Sequence, residues 1–425
     1  IFASEIKAIL AAGLVKPVLD KAAVSYYLKY LYVPVNKTIY KNVFSLPPAH
    51  QLMYKNGKIE VKRYWRLPKM NQTISLSEAV HRFEELFRQA VKKQLIADVP
   101  VGAFLSGGLD SSSVVAVASE MKSNLQTLSL GFLDSVSELP YAQEIAEKYD
   151  TNHTVLTTKT YSIAKLIEKM ATVYDEPFAD SSNIPTYLLA QKAAKHLKVV
   201  LTGDGGDELL GGYDWYKPLV FLEEQKSASL IDEQWLGLMM KLNRYFYENK
   251  YLINKNREHQ GRLLKQEYGS VLQAHNKSQT YISDEVLDEW GLKQEYKNGL
   301  EKPGSLDEVL RWDATHYMPG DILVKTDRAA MAHGLELRAP FLDVDLASFC
   351  LSLPYRMKVS KFDDKILLRK SLGHLLTDTI RKRGKRGFGA PVNKWLQKRP
   401  VRTMVKKTLK NRRHDLYRLL PYDKC

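Results

Sequence analysis

Hydroxyl groups, glycines and a carboxylate are concentrated in the stretch Ser106-Gly-Gly-Leu-Asp-Ser-Ser112. The apolar run from Val101 to Leu105 precedes it and the run from Val114 to Ala118 follows it, which predicts a strand, a turn and a helix. In that arrangement free backbone N–H groups and the positive end of the helix dipole point at whatever lies over the turn, and the glycines let an anion approach the backbone. The stretch therefore predicts a phosphate site. The alternative is an ordinary turn capped by Asp110 and Ser111.

The spacing of this turn excludes the two commonest nucleotide loops. It lacks the Gly-Lys-Ser/Thr ending of a Walker loop and the Gly-x-Gly-x-x-Gly of a dinucleotide site. It resembles instead the PP-loop of the ATP pyrophosphatases, enzymes that cleave ATP between its α and β phosphates. The resemblance implies that the loop holds the departing pyrophosphate, with Asp110 as a magnesium ligand and with added hydroxyl donors from Ser106, Ser111 and Ser112.

A second chemical stretch runs from Thr202 to Tyr213, directly after the apolar residues 199–201. It combines several glycines with three carboxylates, Asp204, Asp207 and Glu208, and has no apolar periodicity, so packing alone does not explain it. The alternative interpretation is a surface turn of the calcium-binding type.

This second stretch resembles a signature of the glutamine-dependent asparagine synthetases, Gly-Glu/Asp-Gly-x-Asp-Glu followed by an aromatic residue and Gly-Gly-Tyr. The sequence departs from that pattern at Leu210, where the aromatic residue is usual. The run from Met318 to Asp343 matches the third signature of the family, and Lys361 to Arg369 resembles its Lys-x-x-Leu-Arg segment. The charged residues of the third signature are interpreted structurally, as a buried network of ion pairs: Lys325, Asp327, Arg328, Glu336, Arg338 and Asp343.

A cationic stretch with glycines follows at Lys382 to Gly389. Composition by itself favours a solvated basic linker. In the asparagine synthetases, however, Lys-x-Gly-Phe-Gly-x-Pro holds the lysine that closes over the acyl-adenylate. The resemblance therefore implies that Lys385 is catalytic, and Asp204 and Lys385 are expected to meet over the reacting carbon.

Apolar strands alternate with helices through the middle of the chain. This alternation predicts an α/β fold, a doubly wound parallel sheet of the adenine nucleotide alpha hydrolase type with helical additions. Ligands collect beyond the carboxyl ends of such strands, so the loops after Leu105, Leu130 and Thr202 are expected to share one crevice. The predicted strands are 101–105, 125–130, 153–156 and 198–202, and the predicted helices between them are 141–148, 163–173 and 184–196.

The first 70 residues are predicted to form a separate part: a strand and short helix from Phe2 to Leu10, a helix from Lys21 to Tyr30, and a hairpin turning at Asn56-Gly57. The resemblance implies that residues 1–70 are a remnant of a glutaminase domain with its junction, and that residues 75–425 are the synthetase domain. Ile1 stands where an initiator methionine is usual, so we interpret the sequence as a piece of a longer chain. Residues 215–300 are interpreted as a helical insertion.

Composition limits the compartment and the kinds of binding partner that the sequence predicts. The 425 residues include two cysteines, too few for a disulfide framework or a cysteine metal site, and a reducing cytoplasm is the expected compartment. The formal charge of +15 is dispersed along the chain, which argues against nucleic-acid binding, and no apolar run is long enough to predict a membrane span. The expected partners are small molecules, with a homodimer as an open alternative.

The reaction implied by the resemblance is ATP-dependent amidation of aspartate, with ammonia or glutamine as the nitrogen source. Asp110 and Asp207 are the expected magnesium ligands. A related enzyme acting on another carboxylate and a non-catalytic fragment remain alternatives. The residues expected to contact ATP are Leu105, Ser106, Gly107, Gly108, Leu109, Asp110, Ser111, Ser112, Leu130, Thr202 and Gly203.

Overall fold

A computed structural model describes residues 1–131, 138–157, 162–224, 271–292, 304–385 and 392–422. The interpretation of residues 215–300 as a helical insertion falls largely outside these ranges, as does the Gly-Phe-Gly-Ala-Pro part of the cationic stretch. The strands are β1 (His50–Lys55), β2 (Lys58–Arg63), β3 (Val101–Phe104), β4 (Gln126–Gly131), β5 (Asn152–Thr157), β6 (Val199–Leu201) and β7 (Glu336–Arg338).

The described α-helices are numbered in chain order. The first nine are α1 (Ile6–Ala11), α2 (Lys21–Tyr30), α3 (Leu76–Gln94), α4 (Leu109–Met121), α5 (Leu139–Lys148), α6 (Ile163–Tyr174), α7 (Asn183–Ala193), α8 (Gly206–Leu210) and α9 (Tyr216–Glu224). The others are α10 (Val271–Ser278), α11 (Asp284–Glu289), α12 (Leu306–Thr315), α13 (Leu323–Met331), α14 (Val344–Ser352), α15 (Ile366–Leu372), α16 (Asp378–Lys382), α17 (Val392–Gln397) and α18 (Arg399–Lys410). A π-helical turn, Met318–Ile322, leads directly into α13.

Five parallel strands form the central sheet in the order β5-β4-β3-β6-β7. The predicted α/β class with a doubly wound parallel sheet is confirmed, because helices cover both faces. Alternate residues of the strands point to opposite sides, and both sides are apolar. Val101 and Ala103 of β3 pack with the buried residues of α3, α4 and α5, whereas Val200 of β6 packs with α7.

The N-terminal part contains α1, α2 and the hairpin of β1 and β2. Asn56 (φ 51°) and Gly57 (φ 77°) occupy the left-handed region at the turn, as the sequence predicts. The strand expected near Phe2 is wrong: residues 1–5 do not pair with any described strand, and helix α1 begins at Ile6. Phe2 is 96% exposed and does not pack against any of the described strands.

In the part of the chain that the structure describes, every helix is too short or too polar to cross a lipid bilayer.

Candidate active site

A cavity of about 410 Å³ opens at the carboxyl ends of β3, β4 and β6, where the predicted crevice lies. It is walled by the loop after β3, the end of β4, and the loop after β6. Residues from α7, α13, the segment before α15 and the segment after α16 complete it. The site is therefore assembled from segments that are far apart in the sequence, and the sheet brings them together.

The turn between β3 and α4 is held by its own hydroxyl groups. The Ser106 and Ser111 Oγ atoms are 2.9 Å apart, and the Gly108 N–H donates to Ser106 Oγ at 3.2 Å. Gly107 has φ +68°, and a Cβ there would lie 2.5 Å from the Cβ of Tyr141. The turn thus depends on a glycine, both for its left-handed backbone and for its close approach to α5.

Two aspartates and two lysines meet at the centre of the cavity. Lys365 Nζ contacts Asp110 Oδ2 and lies 2.6 Å from Asp207 Oδ1, while Lys385 Nζ donates to Asp207 Oδ2. The Lys365 side chain is 4% exposed, and those of Asp110 and Asp207 are 16% and 14% exposed. Charges this well buried interact strongly, because little water screens them.

The pKa values of the two aspartates are shifted in opposite directions. Burial would raise the pKa of Asp207, but the ammonium groups of Lys365 and Lys385 lower it to about 2. Burial raises the pKa of Asp110 above its ordinary value, and the charge of Asp207 acts in the same direction, although Lys365 opposes both. Burial alone would lower the pKa of Lys365, but its two carboxylate partners outweigh burial and raise the pKa.

Backbone geometry explains how Lys365 reaches this position. Lys365 has φ +49°, a left-handed conformation that is uncommon outside glycine and asparagine, and it immediately precedes α15. Its side chain passes Gly212, where a Cβ would lie 2.1 Å from both Lys365 Cε and Asp207 Oδ1. The second glycine of the Gly-Gly-Tyr stretch therefore makes room for the contact between lysine and carboxylate.

Arg383 joins the turn after β3 to the segment that holds Lys385. Its Nη1 donates to the carbonyl oxygen of Gly107 at 2.7 Å, and its Nη2 pairs with Glu138. The guanidinium also lies over the ring of Tyr141, 4.2 Å from the ring centroid. The start of the cationic stretch is thus docked on the site and is not a free basic linker.

The cavity is also lined by Asp204, Lys325 and Asp180. Lys325 Nζ donates to Asp180 Oδ2 at 2.8 Å, and the two side chains are only 12% and 13% exposed. Burial raises the pKa of Asp204, while Lys325 acts to lower it. Close by, Glu208 accepts a hydrogen bond from the Tyr213 hydroxyl, and burial together with Asp207 raises the pKa of Glu208 to about 7.

Most of the residues selected from the sequence lie on the cavity wall. Gly107 and Ser112 do not: Gly107 backs onto Tyr141, and Ser112 is completely buried inside α4. The selected residues that line the cavity are Leu105, Ser106, Gly108, Leu109, Asp110, Ser111, Leu130, Thr202, Gly203, Asp204, Asp207 and Lys385.

The charged residues of the third signature do not form one network, although Lys325 does form a buried ion pair at the cavity. Lys325 pairs with Asp180, Arg328 with Glu5, and Asp343 with Lys93, while Arg338 and Glu336 pair with each other. The reason is topological, because these residues belong to α13, to the edge strand β7 and to the N-cap of α14, which face different neighbours.

Four of the site residues described above are not selected from the sequence: Asp180, Lys325, Lys365 and Arg383. Lys365 lies within the segment resembling Lys-x-x-Leu-Arg, and that resemblance was the signal that could have found it. For Arg383 the signal was its place two residues before Lys385 in the cationic stretch. Lys325 was interpreted as structural, although it lines the cavity.

The sequence model of the asparagine synthase family matches residues 82–425. The chain belongs to the asparagine synthase family. A second model, described as a glutamine amidotransferase domain, matches residues 1–65. The first match contains the turn after β3, the loop after β6 and both lysines of the site, so the cavity belongs entirely to the asparagine synthase part.

Curated relatives of the asparagine synthase family extend along most of the chain. Asparagine synthetase [glutamine-hydrolyzing] 1 of Bacillus subtilis is 28% identical over 433 residues, covering 98% of this chain and 66% of the relative. A putative asparagine synthetase of Mycobacterium bovis is 30% identical over 395 residues, covering 89% of this chain and 59% of the relative. A putative asparagine synthetase of Methanocaldococcus jannaschii is 41% identical over 219 residues, covering 50% of this chain and 42% of the relative. The chain thus spans less than two thirds of the length of these relatives.

Among solved structures, an NH3-dependent NAD synthetase from Campylobacter jejuni is similar over 49% of this chain and 93% of its own, with a TM-score of 0.24 and 16% sequence identity. The overlap at that TM-score is too limited to bear on function or on the details of the fold.

Proposed function

We propose that this chain uses ATP to activate the side-chain carboxylate of aspartate as β-aspartyl-AMP, releasing pyrophosphate, and that ammonia then displaces AMP to give asparagine. The observation that supports this most directly is the arrangement of Lys365 and Lys385 around Asp110 and Asp207, beside a glycine turn at a helix N-terminus. A triphosphate brings negative charge that such a turn and two ammonium groups stabilise. When paired with a complete glutaminase domain, the site is proposed to take its ammonia from glutamine.

In the first half-reaction, one oxygen of the aspartate carboxylate attacks the α-phosphorus and the bond to the bridging oxygen of pyrophosphate breaks. Extra negative charge develops on the transferring phosphate and on the leaving pyrophosphate. Lys385, whose side chain is 23% exposed, lies at the mouth of this region and is proposed to stabilise the transferring phosphate. The backbone N–H groups at Ser106 to Ser111 are proposed to receive the pyrophosphate.

Magnesium fits the residues present. Asp110 and Asp207 offer carboxylate oxygens, and Asp110 Oδ1 is buried without a hydrogen-bond partner in the described structure. The described residues include no cluster of three or more acidic, histidine or cysteine side chains that could hold a metal ion by themselves. That agrees with magnesium chemistry, since the ion usually takes one or two protein carboxylates and completes its shell with water and substrate phosphates. When bound, magnesium would neutralise charge on the departing pyrophosphate.

In the second half-reaction, ammonia attacks the activated carbonyl carbon and AMP leaves with the electron pair of the broken carbon–oxygen bond. The nitrogen must lose a proton as the amide forms. Asp204 lines the cavity, and burial raises its pKa above the ordinary value, which makes its carboxylate a better proton acceptor. We therefore assign proton removal to Asp204.

Product analysis tests the proposal. This chain is incubated with ATP, magnesium, ammonium and aspartate, and the products are separated and counted. AMP, pyrophosphate and asparagine are expected in equal amounts. ADP and phosphate would contradict the assignment, and pyrophosphate release with another carboxylic acid but not with aspartate would favour a related amidating enzyme.

A further inference from the structure

The ion pair between Lys325 and Asp180 is unusual because it lies inside the cavity. Both side chains line the wall, and both are nearly nine-tenths buried. Asp180 is held firmly, since its Oδ1 accepts hydrogen bonds of 2.6 Å from the N–H and the hydroxyl of Ser182. The backbone carbonyl of Lys325 accepts a hydrogen bond from the Tyr174 hydroxyl at 3.2 Å.

The pair lines the same cavity as Asp204 and the turn after β3. Asp204 interacts electrostatically with Lys325 and also with Asp207 and Lys385. Asp321 interacts electrostatically with both Asp180 and Lys325, is 7% exposed, and its Oδ1 has no hydrogen-bond partner among the described residues. An acyl group reacting next to Asp204 would therefore extend its remaining part towards Lys325 and Asp180.

We propose that Lys325 and Asp180 recognise the α-carboxylate and the α-ammonium group of an amino-acid substrate, and so restrict the site to α-amino acids. This inference rests on the proposed function and deepens it. In the empty cavity the two side chains neutralise each other. When a zwitterion enters, each exchanges its partner for the opposite charge of the ligand, so no buried charge is left unpaired.

The exchange explains why the ion pair selects against related acids. Succinate keeps the reacting carboxylate and a second carboxylate for Lys325, but it leaves Asp180 unpaired. 3-Aminopropanoate keeps the reacting carboxylate and an ammonium group for Asp180, but it leaves Lys325 unpaired. Leaving a buried charged group without a partner costs enough to lower the affinity by about tenfold to a hundredfold.

The inference is tested by calorimetric binding of aspartate, succinate and 3-aminopropanoate to this chain in the presence of ATP, alongside isotope exchange between pyrophosphate and ATP with each acid. Aspartate is expected to bind about tenfold to a hundredfold more tightly than either analogue. Equal binding of aspartate and succinate would overturn the inference. Selective binding without any exchange would instead contradict the proposed adenylation and leave the recognition standing.

Two variants give a crossed pattern that a purely structural ion pair would not produce. Asp180→Asn keeps the bonds to Ser182 and should weaken the binding of aspartate and 3-aminopropanoate, whereas succinate should bind at least as tightly as it does to the parent because Lys325 has lost its ion-pair partner. Lys325→Met should weaken the binding of aspartate and succinate, whereas 3-aminopropanoate should bind at least as tightly because Asp180 has lost its partner. Loss of all three ligands in parallel would refute the assignment.

The matched control is Asp20→Asn. Asp20 also accepts from a backbone N–H two residues on, Ala22 at 2.9 Å, and also pairs with a lysine, Lys37 at 3.2 Å, but it lies outside the cavity. This variant should bind all three ligands as the parent does. The KM for ATP should stay unchanged in every variant, because neither Asp180 nor Lys325 faces the phosphate end.

Discussion

Lys365 and Lys385 share one carboxylate, Asp207, but they are not equivalent. Lys365 is almost completely buried, is fixed by a left-handed backbone and also contacts Asp110. Lys385 is more exposed and touches Asp207 from the end of a segment docked by Arg383. Lys365 therefore compensates the two aspartates permanently, whereas Lys385 has the freedom to exchange Asp207 for a phosphate oxygen.

Lys385→Ala should lower the rate of acyl-adenylate formation by about two orders of magnitude or more, because one preorganised charge is lost where negative charge develops. The measurement is aspartate-dependent isotope exchange between pyrophosphate and ATP. Asp204→Ala should also impair formation of the intermediate. Arg413→Ala, an exposed cation near the end of the chain, is the control and should exchange at the parent rate. If Lys385→Ala exchanged at the parent rate, Lys385 would have no catalytic role and would be an ordinary solvated cation.

Lys365→Met should destabilise the fold by about 3 to 5 kcal/mol, the usual cost of removing one partner from buried charges. Asp110 would then lose its lysine partner and Asp207 would keep only Lys385, so the pKa of Asp207 would rise. Urea unfolding at pH 7 measures the change. Lys93→Met is the control, because Lys93 also bridges two aspartates, Asp343 and Asp345, but its own side chain is 50% exposed, so little change is expected. Equal stability of Lys365→Met and the parent would contradict the role.

At the scale of elements, the turn between β3 and α4 is the joint on which the phosphate end of the site depends. Gly107→Ala should destabilise the fold by between about 2 and 5 kcal/mol, combining a left-handed alanine with overlap against α5. Gly57→Ala in the hairpin is the control, since Gly57 also has a positive φ but nothing lies within 4 Å of an added Cβ. Thermal unfolding of both variants separates the cost of the backbone from the cost of the clash. Equal losses of stability in Gly107→Ala and Gly57→Ala would show that a Cβ at residue 107 does not clash with Tyr141.

The sequence predicts β3, β4, β5 and β6 because each contains a run of apolar residues that must be buried on both faces of a parallel sheet. It does not predict β7, which has only three residues, two of them charged, and pairs along one edge. The loops that bear Asp110, Asp204 and Asp207 were found from composition. The position of Lys365 was not, because it depends on a left-handed residue and on clearance at Gly212, which are properties of tertiary packing.

At the scale of the whole molecule, Glu176 ties the N-terminal part to the body. It accepts a hydrogen bond from the Ile39 N–H at 2.8 Å and lines a small cavity of about 80 Å³ together with Val33, Lys37 and Pro319. Burial raises the pKa of Glu176 to about 7, although the bond from Ile39 and the charge of Arg328 oppose the rise. The junction therefore contains a carboxyl group that is partly protonated at neutral pH.

Linkage gives the sign of the resulting pH dependence. The unfolded chain releases this proton near pH 4.5, whereas the folded chain holds it until about pH 7. Between these values the folded state binds more protons, so the stabilisation is complete below pH 4.5 and is lost as the pH rises through 7. The loss attributable to Glu176 is up to about 3 kcal/mol.

Glu176→Gln keeps an acceptor for Ile39 and removes the titration. Its free energy of unfolding should therefore fall less steeply than that of the parent between pH 4.5 and 7, as measured by urea unfolding at several pH values. Glu78→Gln, an exposed substitution in the first turn of α3, is the control and should follow the parent. Parallel curves for Glu176→Gln and the parent would mean that Glu176 is ionised throughout that range.

The position of β6 between β3 and β7 has a consequence for synthesis of the chain on the ribosome. β6 leads into the loop of Asp204 and Asp207, and one of its edges is completed by β7, which emerges roughly 130 residues later, or on the order of ten seconds at ordinary elongation rates. During that interval Val199, Val200 and Leu201 present an apolar edge with unpaired backbone groups. Nascent chains that stop before residue 336 should therefore aggregate or recruit chaperones, and translation pauses in that interval would lower the yield of soluble protein.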